Sequence, residues 1–298
     1  MLENLKTRIL QKIFYCQTKD ILNTKPIHTV DCQLCIVSML TDDYVQMYIL
    51  SMKSFYRLIG KGKIIVIIDD KFTRESRDVL THHFPGISFQ MLADIDVGPC
   101  QHGGTWERLL YILDRSKTEY VIQLDADTLS IGPDLRDVID CIENNKAFTL
   151  NGGEKEIVSV KEAAIRAASI NHPYVGLAVE KMLPQYPGAE HLKYVRGSSG
   201  FAGFAKGGFD RAKIEEFHII MERMMPARWT EWGTEQCASN FAVANSPNAA
   251  VLPFPKYANF EPDIDPGKSN FLHFIGSYRF DKGVFASAGR RVISGLNR

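Results

Sequence analysis

The chain has 298 residues, with 35 Lys and Arg against 35 Asp and Glu, and 45% hydrophobic against 23% charged residues. That composition fits a globular chain with enough length to bury one large α/β core or two small ones, and it excludes a disordered, low-complexity chain. A formal net charge of zero argues against polyanion binding by the surface as a whole, so nucleic acid is not an expected partner.

Residues 2–14 place Leu2, Leu5, Ile9, Leu10, Ile13 and Phe14 at helical spacing, with basic residues on the other face. Such a helix either packs on its own domain or a second subunit, as in a homodimer, or lies peripherally on the inner face of an anionic membrane. Lys6, Arg8 and Lys12 interrupt the apolar positions, so no secretory leader is expected, and no apolar run of membrane-spanning length follows. The Cys32-x-x-Cys35 pair lacks the second ligand pair of a zinc site and the helix start of a redox site, and is read as strand cysteines of a cytoplasmic protein. Residues 1–30 therefore form a helix and lead-in, and 31–298 a single domain.

From residue 33 short apolar runs alternate with amphipathic stretches. Strands are expected at Leu34–Leu40, Lys63–Ile68, Ile87–Met91 and Tyr120–Leu124, and a further strand at Phe148–Leu150. Helices are expected after Thr41 and Asp42 as N-caps, from about Thr73 to His83, and from a cap at Thr105 to about Arg115. Near-continuous apolar strands between helices indicate a Rossmann-like, mostly parallel sheet with helices on both faces, in which ligands bind beyond the carboxyl ends of the strands. Beyond Asn151 helices are expected at Lys161–Ser169, Val175–Met182, Asp210–Met224 and Thr234–Val243, the last capped by Thr234. Gly197–Gly208 is glycine-rich, Pro247–Pro266 irregular, and Asn270–Ile275 a strand.

Three Asp-x-Asp patterns occur, at Asp94, Asp125 and Asp263. Only Asp125-Ala126-Asp127 directly ends a buried strand. Alternation along an extended chain would point both carboxylates one way while Ala126 turns aside. Two carboxylates there repel unless a cation lies near, or they cap the following turn. Hard oxygen ligands suit Mg²⁺ or Mn²⁺, and either ion neutralises a diphosphate.

With this strand the chain resembles the family-8 glycosyltransferases, the group of glycogenin and bacterial lipopolysaccharide galactosyltransferases. Further segments match in order: Thr41-Asp42-Asp43-Tyr44, Arg108, Ser199-Gly200-Phe201, Glu235-Gln236 with Asn240, and His273-Phe274-Ile275-Gly276-Ser277-Tyr278-Arg279. Glu235 stands where the family has Asp, and Arg279 where it has Lys. The resemblance implies a GT-A fold from about Leu34 to Phe280, with residues 31–150 as the nucleotide-binding half. Residues 151–298 would be a C-terminal elaboration on the acceptor side. It implies a metal, Mn²⁺ or Mg²⁺, on Asp125, Asp127 and His273, the imidazole tilting the choice to Mn²⁺. It places the nucleotide-sugar donor, expected to carry UDP, on Ser38, Leu40, Thr41, Tyr44, Arg108, Ala126, Gly276 and Arg279. Arg279 would assist departure of the nucleotide diphosphate.

Glu235 and Gln236 would face the sugar; Glu235 offers hydrogen bonds to sugar hydroxyls or a general base, or is simply a first-turn Glu favoured by the helix dipole. The activity implied is transfer of a hexose, with retention, to a saccharide or lipid-linked glycan in polysaccharide biosynthesis. Trp229 and Trp232 are either a stacking wall for an acceptor sugar or core residues. A nucleotidyltransferase would need a Gly-rich basic loop after the first strand, yet Ser38 to Met52 contains no Gly, Lys or Arg. A dinucleotide-binding oxidoreductase would need G-x-G-x-x-G there, which is absent. A nucleotide-sugar-binding protein without catalysis is the remaining alternative.

Overall fold

Ile64-Ile65-Val66-Ile67-Ile68 is a β-branched run with no polar interruption, and it forms the buried core of a strand flanked on both edges by parallel partners. The same logic organises the chain, for which a computed structural model describes residues 2–296, apart from the side chains of residues 2–6 and Ser277. Met1, Asn297 and Arg298, at the ends of the expected segments 1–30 and 31–298, lie outside the described residues, as do the side chains of Leu2 and Leu5 on the expected helix face.

In chain order the elements begin with α1 (Leu2–Thr18), β1 (Leu34–Leu40), α2 (Val45–Ile59), β2 (Lys63–Ile68), α3 (Arg74–His83) and β3 (Ser88–Met91). They continue with α4 (Trp106–Ser116), β4 (Tyr120–Leu124), β5 (Thr128–Ser130), α5 (Arg136–Glu143), β6 (Phe148–Asn151), β7 (Val158–Ser159), α6 (Val160–Ala168) and α7 (Val175–Met182). The last are β8 (Lys193–Tyr194), β9 (Gly197–Phe204), α8 (Arg211–Met224), α9 (Thr234–Ala244), β10 (Ala250–Val251), β11 (Tyr257–Asn259), β12 (Phe271–His273) and α10 (Val284–Leu296). This is a mixed α/β chain with a mostly parallel main sheet. No helix among the described residues is long and apolar enough to cross a membrane.

Two compact units are formed, one from Met1–Met91, Leu124–Arg136 and Pro255–Arg298, the other from Leu92–Gln123 and Asp137–Phe254. In the first unit β1, β2 and β3 run parallel, with Cys35 opposite Lys63 and Leu40 opposite Ile68. Helix α2 is almost wholly buried and stops at Gly60, whose φ of 70° supplies the left-handed C-terminal turn. A small sheet in the order β11-β12-β5 completes this unit, β12 parallel to β11 and antiparallel to β5. Helix α1 is seated through Phe14, whose ring lies 4.5 Å from that of Phe285 and 5.5 Å from that of Phe280. In the second unit β6 pairs antiparallel with β9 and parallel with β10. Its segment 151–196 is stapled by ion pairs: Arg196 on Glu180 and Glu154, and Arg166 on Glu154, Glu156 and Glu162.

Several local expectations are corrected. Thr41 makes no side-chain cap, and the Asp42 carboxylate instead accepts the backbone N–H of Thr73 at 3.1 Å. Thr105 sits at φ 72° and makes no cap either, because its hydroxyl donates to Glu235. The residue ahead of α9 is Gly233, and Thr234 lies inside the helix, accepting hydrogen bonds from Trp106 and Gln101. In each case a tertiary partner competes successfully for the group that local rules assign to the helix end. Between Pro247 and Pro266 two short strands, β10 and β11, form where irregular chain was expected. Trp229 is fully buried with its indole N–H on His218 Nδ1 at 2.9 Å, so it belongs to the core, whereas Trp232 is 79% exposed.

Candidate functional site

The acidic pair sits just past β4, on a turn. Asp125 to Asp127 do not continue the strand; the chain reverses there and enters β5. The two carboxylates therefore converge through a turn rather than through strand alternation. That turn is braced from within, since Asp125 O accepts from Thr128 Oγ1 at 2.8 Å and from Ser51 Oγ at 3.2 Å. Ser38, buried in β1, donates its hydroxyl to Leu124 O at 2.6 Å, which ties the first strand to the residue ahead of Asp125.

The small sheet explains why His273 arrives at the same place. Strand pairing sets His273 opposite Thr128 on one side and opposite Asn259 on the other. Phe274 N donates to Asp127 O at 2.8 Å, so the histidine strand is bonded to the acidic turn itself. Ligand atoms of Asp125, Asp127 and His273 all lie within 4.8 Å of one another, the one such group of three among the described residues.

The electrostatics favour a cation. His273 Nδ1 lies 2.9 Å from Asn259 Oδ1 and its Nε2 lies 3.3 Å from Asp127 Oδ1, so the ring is held at both nitrogens. Two electron-rich atoms at that separation repel unless a proton or a metal lies with them. The residues present thus fit a divalent metal: two carboxylates, one imidazole, and a partner on its other nitrogen that orients the ring. Arg279 supplies the remaining charge. Its Nη2 contacts Asp127 Oδ2 at 2.7 Å, its Nη1 donates to the Tyr44 hydroxyl at 3.4 Å, and its guanidinium lies 5.5 Å from the Tyr44 ring centre. Burial pushes the Asp127 carboxyl up, but His273 and Arg279 outweigh it and hold the group below the ordinary carboxylate range.

Asp125, Ala126, Asp127, His273, Arg279 and Tyr44 are thus gathered in the first unit. Gly276 lies in the same segment as Arg279, at φ 45° with open space where a Cβ would stand. Thr41 is exposed, and the Leu40 side chain is in the core. Asn259 was not anticipated from the sequence. An Asn ending a short strand between prolines carries no motif, and its partner is set only by the strand register.

Arg108, Glu235, Gln236 and Ser199 meet in the second unit. Arg108 and Glu235 are both buried, with Nη2 and Oε1 3.7 Å apart. Glu235 Oε2 accepts from Thr105 Oγ1 at 2.9 Å and from Ser199 Oγ at 3.4 Å. Gln236 Oε1 accepts the Ser199 backbone N–H at 3.2 Å, and Gln236 Nε2 donates to the Tyr174 hydroxyl at 2.8 Å. Asn240, one turn further on, donates to Gly197 O at 3.3 Å. Gly103, Gly104 and Thr105, immediately before α4, all have positive φ, an unusual run for a segment containing a β-branched residue. The Thr105 hydroxyl on Glu235 holds that residue in place.

No protein-family model and no curated protein matches this chain. Among solved structures, the galactosyltransferase LgtC, in complex with donor and acceptor sugar analogs, is similar at 13% identity and a TM-score of 0.51, covering 88% of this chain and 96% of that one. A structure of LgtC with an active-site glutamine replaced by glutamate gives 12% identity and a TM-score of 0.51, over 87% of this chain and 95% of that one. The bifunctional glycosyltransferase WbbM is similar at 14% identity and a TM-score of 0.49 over 87% of this chain; this chain spans only 51% of WbbM. The chain has the GT-A glycosyltransferase fold.

Proposed function

We propose that this chain is a metal-dependent glycosyltransferase of family-8 type that moves a hexose, with retention, from a UDP-sugar to a saccharide or lipid-linked glycan. The observation that carries this reading is the convergence of Asp125, Asp127 and the Asn259-oriented His273. A Mn²⁺ or Mg²⁺ ion there supplies charge neutralisation for the diphosphate of a nucleotide sugar. Arg279, already at this site, is released from Asp127 to the diphosphate oxygens, where a planar fork donor stabilises the charge that develops as the nucleotide leaves. Tyr44 stays beside Arg279 and offers its ring to the nucleotide. In the second unit Glu235 and Gln236 act on the sugar, supported by the segment order of the family and by the active-site glutamine named for LgtC.

The test is nucleotide-sugar hydrolysis and transfer with Mn²⁺, after chelation, and in Asp127→Ala. Activity is expected only with metal, and Asp127→Ala should lose more than the roughly 100-fold in metal affinity typical of removing a residue that merely orients a ligand. Full turnover in EDTA would overturn the reading.

Helix α1 supports peripheral attachment to an anionic membrane: Ile9 and Ile13 are 50% and 45% exposed, one turn apart, and Arg8 and Lys12 stand exposed beside them. Phosphatidylserine vesicles should retain the wild type and release R8E/K12E; equal retention of the two removes this surface.

A further inference from the structure

Helix α9 is buried along its whole length except at one residue, Gln236. A polar side chain that alone leaves a buried helix has its orientation set by whatever meets it, and here both ends of the amide are held. The Ser199 backbone N–H is a donor only, so the amide oxygen must face it at 3.2 Å. The NH₂ group then faces Tyr174, and the Tyr174 hydroxyl must accept at 2.8 Å. Among the described residues nothing accepts the Tyr174 proton, so accepting the Gln236 amide is the one hydrogen bond this hydroxyl makes.

Tyr174 comes from segment 151–196, and the fold has shaped a slot for it. A Cβ on Gly176 would collide with the Tyr174 ring, and one on Gly233 would stand 3.1 Å from it, at a φ of 102° that itself favours glycine. The backbone on either side is pinned as well. Tyr174 N donates to His172 Nδ1 at 3.1 Å, and Arg228, paired with Glu231, donates to Pro173 O at 2.7 Å. Burial raises the Tyr174 phenol above its ordinary range, so the group remains a neutral hydroxyl at physiological pH.

We propose that Tyr174 is a positioning residue for sugar recognition, through which segment 151–196 anchors the NH₂ end of the Gln236 amide. The proposal rests on the reading of Gln236 as a sugar-facing residue. Without the hydroxyl, the NH₂ end loses its acceptor and the amide is held at its oxygen alone, by the Ser199 N–H and hydroxyl, so a sugar hydroxyl meets a less firmly placed donor. Nucleotide affinity is not affected, because that depends on the metal site.

The experiment compares, in Mn²⁺, the affinity for uridine diphosphate with the affinities for UDP-glucose, UDP-galactose and UDP-xylose. It uses wild type, Tyr174→Phe, Gln236→Ala and the double variant. Phe keeps the ring in its slot, and an unchanged melting temperature verifies it. For the sugar nucleotide the wild type binds best, Tyr174→Phe should lower the ratio of sugar-nucleotide to diphosphate affinity about fivefold, the scale of one neutral hydrogen bond. Gln236→Ala should lower it at least as much, and the double variant should be no worse than Gln236→Ala alone, because both changes remove the same contact. An unchanged ratio in Tyr174→Phe, equal losses for uridine diphosphate and the sugar nucleotides, or losses that multiply in the double variant would each overturn the positioning role. A wild type that binds uridine diphosphate but gains nothing from any sugar overturns it too. A wild type that binds none of the four compounds overturns the transferase reading itself.

Discussion

At Asp127 one carboxylate collects a guanidinium and an imidazole, while at Gln236 one amide collects a backbone N–H and a phenol. The first arrangement is built from charges, which the proposed function would turn toward a metal and a nucleotide. The second is built from neutral donors and acceptors, each fixed by the backbone or by a ring in a slot. Charge pairs respond to whatever ion enters and can exchange partners; neutral hydrogen bonds have direction and lose it when one end is deleted. Under the proposed function a diphosphate would call for charge and a sugar for geometry.

Three changes test that contrast, in descending order of effect. Asn259→Ala removes the side chain that meets His273 Nδ1, and should weaken Mn²⁺ about 10- to 100-fold in titration calorimetry. An unchanged affinity would mean that His273 needs no orienting partner. Arg279→Gln should change sign with conditions. Without nucleotide, Mn²⁺ should bind about tenfold more tightly because a competing cation has left Asp127; with uridine diphosphate present, ternary binding should weaken by a similar factor. Loss of affinity in both conditions would show that Arg279 does not exchange partners. The smallest effect concerns stability. Asp127 has a folded value below its unfolded one, so its pairing stabilises the fold above the unfolded carboxylate value near 3.9 and is lost as pH falls through the folded value. Asp127→Asn should therefore cost about 1–3 kcal/mol in denaturant unfolding at pH 7, and the gap should close in acid. A gap independent of pH would assign the loss to packing.

Much of this was legible in the residues. Leu34–Leu40, Lys63–Ile68 and Tyr120–Leu124 are strands with the bounds their apolar runs announce, because nothing competes with burial there. The ordered segments from Thr41-Asp42-Asp43-Tyr44 to Arg279 led to the acidic turn, His273 and Arg279, which the fold gathers. What was not legible had been settled by distant partners. Thr105 and Thr234 read as caps, but their hydroxyls serve Glu235 and Trp106. Asn259 becomes relevant only through the register of β11 on β12. Tyr174 lies in a stretch whose periodicity indicates helices and nothing else; only the slot between two glycines reveals its place.

One contact at the start of the chain has a practical bearing. The Tyr15 hydroxyl donates to the carbonyl of Asp43, and Gln46 Nε2 returns a bond to Tyr15 O at 2.8 Å and another to Thr18 Oγ1 at 2.9 Å. The last turn of α1 is thereby a buttress for the bend that carries Tyr44, and Tyr44 in turn meets Arg279. Anyone shortening this protein for crystallisation has a boundary drawn at that tyrosine: a cut beyond Tyr15 removes the buttress.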